Sequence, residues 1–461
     1  MNNTVEICWK KVGGTVLGIL TALWLIPPIV HKTMHYCPVK PDGIQEAEAI
    51  TAWARKYGVS CNVCHAAGYK LTRAGQKFLR GGHVMPGTDK EANLSDYVAL
   101  TAKIRAWTKN TKAETLATGV ETQTPKSSFE GHALSLYTGG PLDNGFSYFS
   151  EMYFHENEKK NIAENSEKSE SDMGDWGRSK LAETYLQYVR GIGGSEDTFW
   201  TVRIGRIMPW LIHLHGGGAR LEYNRPKTFA ETLGGTPYRP FSRQYGVGAG
   251  LGVKDAFLEA GIVNGTGKLE NSVEIGTDTH KDLYAALDYS LGDKGSMVGV
   301  YYYNGKYPTN WFGTKGTDVG ANTIISREEF SQLGFLGNYT FEVEGVGGAL
   351  LGAYFTGKNK YDTTAALGYE QKSTGYYLEA QGHFQKGDLS PYFRWDFNDP
   401  DTAFDDNEKS GPALGLHWKP MEHGRFVLEW DRDSAKNGKN GTAATTQTTN
   451  DTYTLEIQFM F

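Results

Sequence analysis

The chain has 461 residues, and 47 Lys+Arg against 53 Asp+Glu leave a formal charge of −6, a balance that disfavours a general nucleic-acid binder. Hydrophobic residues make up 39% and mean hydropathy is −0.48, which excludes a polytopic helical membrane protein, because only the N-terminus carries a long apolar run. Aromatics at 13%, with 57 Gly against 16 Pro, point instead to many strands and turns, and one large barrel absorbs this length.

Lys10 and Lys11 precede an apolar stretch over 12–30, the order of charged and apolar regions in an export signal, and residues 1–36 are read as that signal. Gly13, Gly14, Gly18 and the pair Pro27 and Pro28 make the same stretch a poor membrane span. Cys37, in MHYC, lacks the small preceding residue of a lipoprotein signal and is read as a spare thiol.

Residues 37–95 form a distinct segment. Gln45, Ala49, Ala52, Trp53, Lys56 and Tyr57 have helical spacing, and Leu71, Ala74, Phe78 and Leu79 mark a second short helix ending at Gly81 and Gly82. Between them lies Cys61-Asn62-Val63-Cys64-His65, the C-x-x-C-H signature of covalent c-type haem attachment. Two thiols three residues apart on a turn can meet the two vinyl groups of one haem, while the adjoining imidazole reaches the iron from the same side. A redox dithiol would want a βαβ context, and a structural zinc site would need a second ligand pair that the remaining cysteines do not supply. His65 is therefore the proximal ligand of one haem c. For the opposite side FLRGGHVMPG offers His83 and Met85, and Met34 or His35 can fold back. A thioether there raises the reduction potential, a second imidazole lowers it, and an open position would serve small-molecule binding.

From about Tyr97 onward the chain repeats one theme, roughly ten residues of alternating polarity and then a Gly/Asp/Asn-rich turn or a longer polar loop. Segment starts fall near 97, 128, 144, 180, 198, 241, 255, 282, 295, 331, 345, 374, 389, 411, 424 and 452. The expected fold class is mainly β, a transmembrane antiparallel barrel of about 16 strands over 96–461, behind the small α-helical cytochrome segment. The polar faces carry Lys103, Arg105, Glu183, Arg203, Asp288, Glu379, Arg394 and Glu429, charges that suit a hydrated lumen. Long connections at 156–175, 211–240, 304–327 and 433–451 are candidate outer loops or lumen inserts. His213 and His215, with period-two spacing beside three glycines, could bind a metal or line a constriction, and a loop or strand-end pair without a ligand role is the plainer reading. Lys103, Arg105, Arg203, Arg206 and Arg394 are candidates for contact with haem propionates or for tuning ion traffic, with simple hydration as the plainer role. At the end of the chain Tyr453, Leu455, Ile457, Phe459 and Phe461 alternate with polar residues, and the final aromatic resembles the assembly signal of bacterial outer-membrane proteins.

The stretch WARKYGVSCNVCHAAGYKLTRAGQKFLRGG resembles the fused outer-membrane cytochrome-porin family, in which a single-haem cytochrome segment precedes a 16-stranded barrel and serves Fe(II)-oxidising bacteria. The matching positions are Trp53, Ala54, Arg55, Lys56 and Tyr57, then Cys61, Cys64 and His65, then Leu71, Gly75 and Phe78, and lastly Gly81 and Gly82. The resemblance implies extracellular electron transfer, an iron:cytochrome c-type oxidoreductase activity. Fe(II) or another extracellular reductant would donate, and a periplasmic cytochrome c or copper protein would accept. The hydrocarbon layer is about 30 Å thick, more than a single haem bridges from either surface, so the haem is expected inside the lumen or at its mouth. Two alternatives belong to other classes: a passive diffusion porin with a haem-bearing plug, and a haem-based ligand sensor.

Overall fold

A computed structural model describes residues 51–60, 63–67, 70–85, 96–156, 180–193, 195–218, 220–234, 238–265, 280–308, 327–343, 346–360, 370–384, 387–404, 406–421, 423–438 and 444–460. The export signal, Met34, His35, Cys37, Cys61, most of the 156–175 connection and Phe461 lie outside these residues.

Two helices, α1 (Thr51–Tyr57) and α2 (Arg73–Arg80), flank a small hairpin of β1 (His65–Ala67) and β2 (Lys70–Leu71). The barrel follows as β3 (Val98–Thr115), β4 (Val120–Pro141), β5 (Phe146–Glu156), β6 (Lys180–Ile192), β7 (Ser195–Ile207), β8 (Gln244–Val253), β9 (Ala256–Val263) and β10 (Asp282–Leu291). It continues as β11 (Ser296–Pro308), β12 (Arg327–Val343), β13 (Val346–Lys360), β14 (Glu370–His383), β15 (Leu389–Asp399), β16 (Lys409–Met421), β17 (Gly424–Lys436) and β18 (Thr446–Met460). Each strand pairs antiparallel with the next and β18 closes on β3, from Thr446 opposite Thr115 to Met460 opposite Thr101.

Closure leaves no sheet edge, so every strand finds ladder partners on both sides without water. The alternation read in the sequence sorts side chains by face. Ile104, Ile204, Leu287 and Leu378 point outward, the last 63% exposed, whereas Arg203 and Arg394 point inward at 1% and 0%. An apolar girdle of this extent facing water would be strongly unfavourable, and lipid is the medium that removes the cost. No helix among the described residues is long and apolar enough to cross a membrane; the strands cross it. The molecule is a closed sixteen-stranded outer-membrane β-barrel.

The two ends of the barrel differ. At one end the links are short, such as those joining β8 to β9, β10 to β11, β12 to β13 and β16 to β17, and both termini of the barrel lie there. At the other end stand most of the long connections, including 208–243 between β7 and β8. Outer-membrane barrels keep short turns in the periplasm, which orients the molecule.

The 208–243 connection is a lumen insert. It holds α3 (Trp210–Ile212), a π-helical turn over His213–Gly217, and α4 (Lys227–Ala230). Wall carboxylates satisfy the open N–H groups of these short helices: Trp210 N donates to Glu259 at 2.7 Å and Lys227 N to Asp396 at 2.9 Å. Tyr223 N donates to Glu429 at 3.0 Å. Leu211 packs on Gly299 of β11, where a Cβ would lie 2.7 Å from its methyl carbons. The lumen is thus packed rather than simply hydrated, which corrects the expectation for its charges. Arg203 bonds Glu259 at 2.5 Å, Arg394 bonds Asp396 at 2.7 Å, and Asp288 takes Arg80 of α2 at 2.6 Å.

Candidate cofactor site

The thiol loop is held by the residue that starts the second helix. Thr72 caps α2, accepting from Gly75 N at 3.0 Å, and its hydroxyl donates to the Val63 carbonyl at 2.7 Å. Thr72 N donates to the Cys64 carbonyl at 2.9 Å. A Cβ on Gly75 would fall 2.2 Å from that same carbonyl oxygen, so only glycine lets the helix approach the loop this closely. The helix begins at Arg73, two residues later than Leu71, which instead pairs with His65 in the hairpin. Its buried positions are Gly75, Gln76, Phe78 and Arg80, while Ala74 is exposed.

Helix α2 seats the segment against the short-turn end of the barrel. Arg73 reaches Asp255 at 2.8 Å, Lys77 pairs with Asp197, and Arg80 lies over the Phe257 ring at 4.1 Å while bonding Asp288. Gln187 donates to the Arg80 carbonyl at 2.7 Å, and Ser290 to Gln76 Oε1 at 2.8 Å. Helix α1 is tied to the wall by Trp53 Nε1, which donates to the Gly139 carbonyl at 2.8 Å, and by Lys56, which donates to the Tyr97 hydroxyl at 3.1 Å.

Cys64, His65 and Met85 line one cavity with about 1600 Å³ of empty space, part of it open to solvent. Apolar and aromatic residues line it, with Trp53, Tyr57, Leu71 and Phe78 from the N-terminal segment and Tyr137, Phe149 and Tyr185 from the barrel. Charged residues line it too: Lys103 and Arg425 from strands, Arg220, Arg225 and Arg243 from the insert, and the carboxylates Glu151 and Glu183, the former accepting from Tyr137 at 3.0 Å and Arg243 at 2.8 Å.

His65 is 8% exposed and its Nδ1 has no hydrogen-bond partner among the described residues. Burial, aided by Lys419, lowers its pKa to about 4, so the ring is the neutral imidazole that binds metal. His83 does not line the cavity. It is stacked on Trp53 at 4.5 Å and edge-on to Phe78 at 5.6 Å, and burial first, then His213, Lys56 and Arg203, lower it to about 3. Its backbone φ of +60° follows Gly82 at +79°, and the Tyr57 hydroxyl donates to its carbonyl at 2.5 Å.

The two histidines of the insert part ways, because a helical turn carries them. His213 lines the cavity with Glu183 3.9 Å away, while His215 is buried against Phe229 and bonds the Tyr377 hydroxyl at 3.0 Å. Of the five lumen cations singled out in the sequence, only Lys103 borders the cavity. Arg105, Arg203 and Arg394 are matched to Glu456, Glu259 and Asp396, and Arg206 donates to main-chain carbonyls. Arg220, Arg225, Arg243 and Arg425 went unnoticed in the sequence, where nothing places them near residue 64.

A c-type haem asks for thiols and an imidazole on one loop, an apolar slot for its ring, and cations near its two acids. Cys64 with an intermediate exposure, the unpartnered His65 nitrogen, and a cavity lined by both aromatic and cationic side chains fit that group. No cluster of three or more His, Cys, Asp or Glu among the described residues would hold a bare metal ion.

No family model matches the chain, and no curated protein matches it in sequence. Solved structures similar to it include the anion-selective porin from Comamonas acidovorans, at 14% identity and a TM-score of 0.48, covering 79% of this chain and 99% of that one. The outer membrane channel DcaP of Acinetobacter baumannii is similar at 11% identity and a TM-score of 0.47, covering 79% and 97%. OprB of Pseudomonas putida is similar at 10% identity and a TM-score of 0.48, covering 79% and 94%. The membrane assignment rests on the barrel's own closure and on its apolar outer face, with porin-like architecture as its description.

Proposed function

We propose that this barrel is a single-haem cytochrome-porin that carries one haem c on Cys61, Cys64 and His65 and moves single electrons from an extracellular donor, Fe(II) foremost, to a periplasmic cytochrome c or copper protein. The observation that supports this most is the convergence of Cys64 and His65 on a lumen cavity lined by aromatic and cationic side chains. When bound, the haem supplies one-electron redox chemistry at its iron, and no group is transferred.

The chain's own residues do the rest. Cys61 and Cys64 offer the thiols for attachment, and Thr72 and Gly75 fix the backbone at Val63 and Cys64. His65 is kept neutral by burial for ligation. Met85 is the distal ligand we favour, since it borders the cavity while His83, stacked on Trp53, does not. Docking of α2 at the short-turn end brings the site within reach of a soluble periplasmic partner, and the outer mouth remains the side from which Fe(II) arrives.

A second reading, a passive diffusion porin in which the same segment is a plug, is favoured by the barrel itself, since sixteen strands around a polar interior is a general porin layout. The two differ in what Cys64 does. With the full chain expressed alongside a haem-attachment system, the first reading expects a covalent haem stain that Cys64→Ala loses, with little ion conductance in either form. A colourless wild-type barrel whose conductance is large and indifferent to Cys64→Ala would establish the passive porin instead.

A further inference from the structure

We propose that Lys358 and Lys372, on the outer face of the barrel at its long-loop end, bind the phosphate groups of lipid A, the phosphorylated lipid of the outer leaflet. Both residues belong to the barrel wall, and their role is independent of the haem.

Strand direction and register place the pair. β13 rises from the short-turn end to Lys360 and β14 returns from Glu370, so both lysines lie near the long-loop end. Alternation sends Tyr354, Thr356, Lys358 and Lys360 outward from β13, between the buried Phe355, Gly357 and Asn359. On β14 it sends Lys372, Thr374, Tyr376 and Leu378 outward, with Ser373 and Tyr377 inward.

The outermost rung of outward side chains alternates in sign. Lys306 stands opposite Glu329, Glu329 opposite Lys360, and Lys360 opposite Glu370, with Lys306 and Glu329 2.7 Å apart. The rung below, Asn304, Ser331, Lys358 and Lys372, does not alternate: it sets two lysines directly opposite each other with neutral neighbours. Four residues further down the strands, about 13 Å, Phe335, Tyr354, Tyr376 and Phe397 form an aromatic row, with Tyr376 stacked on Phe397 at 5.0 Å. Aromatic rows mark the edge of the hydrocarbon, so the lysines stand at the level of the lipid headgroups.

Like charges directly opposite on a sheet are destabilising unless an anion joins them. Lys358 lies 3.9 Å from Glu370, a carboxylate it shares with Lys360 across the ladder, and Lys372 forms no ion pair among the described residues. Asp399, opposite Thr374 on the rung below, accepts from Asp401 N at 3.0 Å. A phosphate brings negative charge and several acceptor oxygens, enough to bridge two ammonium groups. Carried by a lipid, it would reach the pair while its acyl chains run down past Tyr354, Tyr376 and Leu378.

The test uses the full-length protein in detergent micelles, its barrel checked by heat-dependent gel mobility, with lipid binding read by native mass spectrometry. The probes are bisphosphorylated lipid A, lipid A stripped of its phosphates, and inorganic phosphate. Wild type is compared with Lys358→Gln, Lys372→Gln, the double variant and Lys372→Arg. Lys294→Gln, at a short turn with a side chain 69% exposed, is the control. Removing one lysine beside an anionic lipid surface should weaken lipid A binding about fivefold, and removing both about thirtyfold. Lys372→Arg and the control should bind as wild type does, and stripped lipid A should bind wild type as weakly as intact lipid A binds the double variant. If the double variant does not fold, each single variant carries its own expectation. Equal affinity of wild type and the Gln variants, or of wild type for intact and stripped lipid A, would overturn the proposal. Displacement of lipid A by an equal concentration of inorganic phosphate would assign the pair to the free ion and overturn the lipid.

Discussion

Thr72 caps α2 and, through the same hydroxyl, holds the Val63 carbonyl, while Gly75 one turn on touches the Cys64 carbonyl. Thiol presentation and helix initiation are therefore one piece of local structure. In Gly75→Ala the added carbon would sit 2.2 Å from a backbone oxygen, so the loop must move. We expect a several-fold drop in covalent haem per folded barrel, measured by haem stain against total protein, with the barrel's own stability unchanged. Met85 and His83 make a sharper pair. Met85→Ala should abolish the six-coordinate absorption spectrum and open the reduced protein to carbon monoxide, whereas His83→Ala should leave the ligand set intact; the reverse outcome would assign His83. At this scale the sequence was legible where chemistry is written in adjacent residues, as in Cys61, Cys64 and His65. Arg220, Arg225 and Arg243, from the insert, and Arg425, from β17, were illegible because only the folded chain brings them to the cavity that Cys64 lines.

Among the elements, α2 is fastened by buried charge. Arg80 and Asp288 form a pair whose side chains are 5% and 1% exposed, and removing one partner of such a pair costs about 3–5 kcal/mol. The loss in Arg80→Ala should fall on docking rather than on the barrel. We predict faster proteolysis of the N-terminal segment and higher single-channel conductance, with unaltered thermal unfolding of the strands. The insert has its own weak point in His215, whose pKa is lowered to about 3 by burial and then by Lys70. An unfolded insert binds a proton below about pH 6.5 that the packed insert refuses, so packing loses stability as pH falls from there towards 3. Acidification over that window should raise conductance, and His215→Leu should blunt the response. The sixteen strands were readable because each alternates in polarity. The starts of β4 and β18 were placed late, at 128 and 452 rather than 120 and 446, since VETQTPKS and TQTTND are polar on both faces and carry no alternation. The short helices of the insert are too brief for a 3.6-residue period to emerge.

Taken whole, the barrel is a sheath whose lumen is occupied by two different inserts, the N-terminal segment at the short-turn end and the 208–243 connection against the walls. Strand number and closure could be anticipated from the chain; the packed lumen could not, because alternation shows which face is polar but not what that face touches. We propose that this sheath holds a redox-active haem reached from outside. An anaerobic titration of purified, haem-matured protein with Fe(II), followed in the visible spectrum, tests it most directly. A c-type α-band should grow with added Fe(II) and be absent in Cys64→Ala. A wild-type protein without that band, or one whose band ignores Fe(II) while dithionite develops it fully, would contradict it.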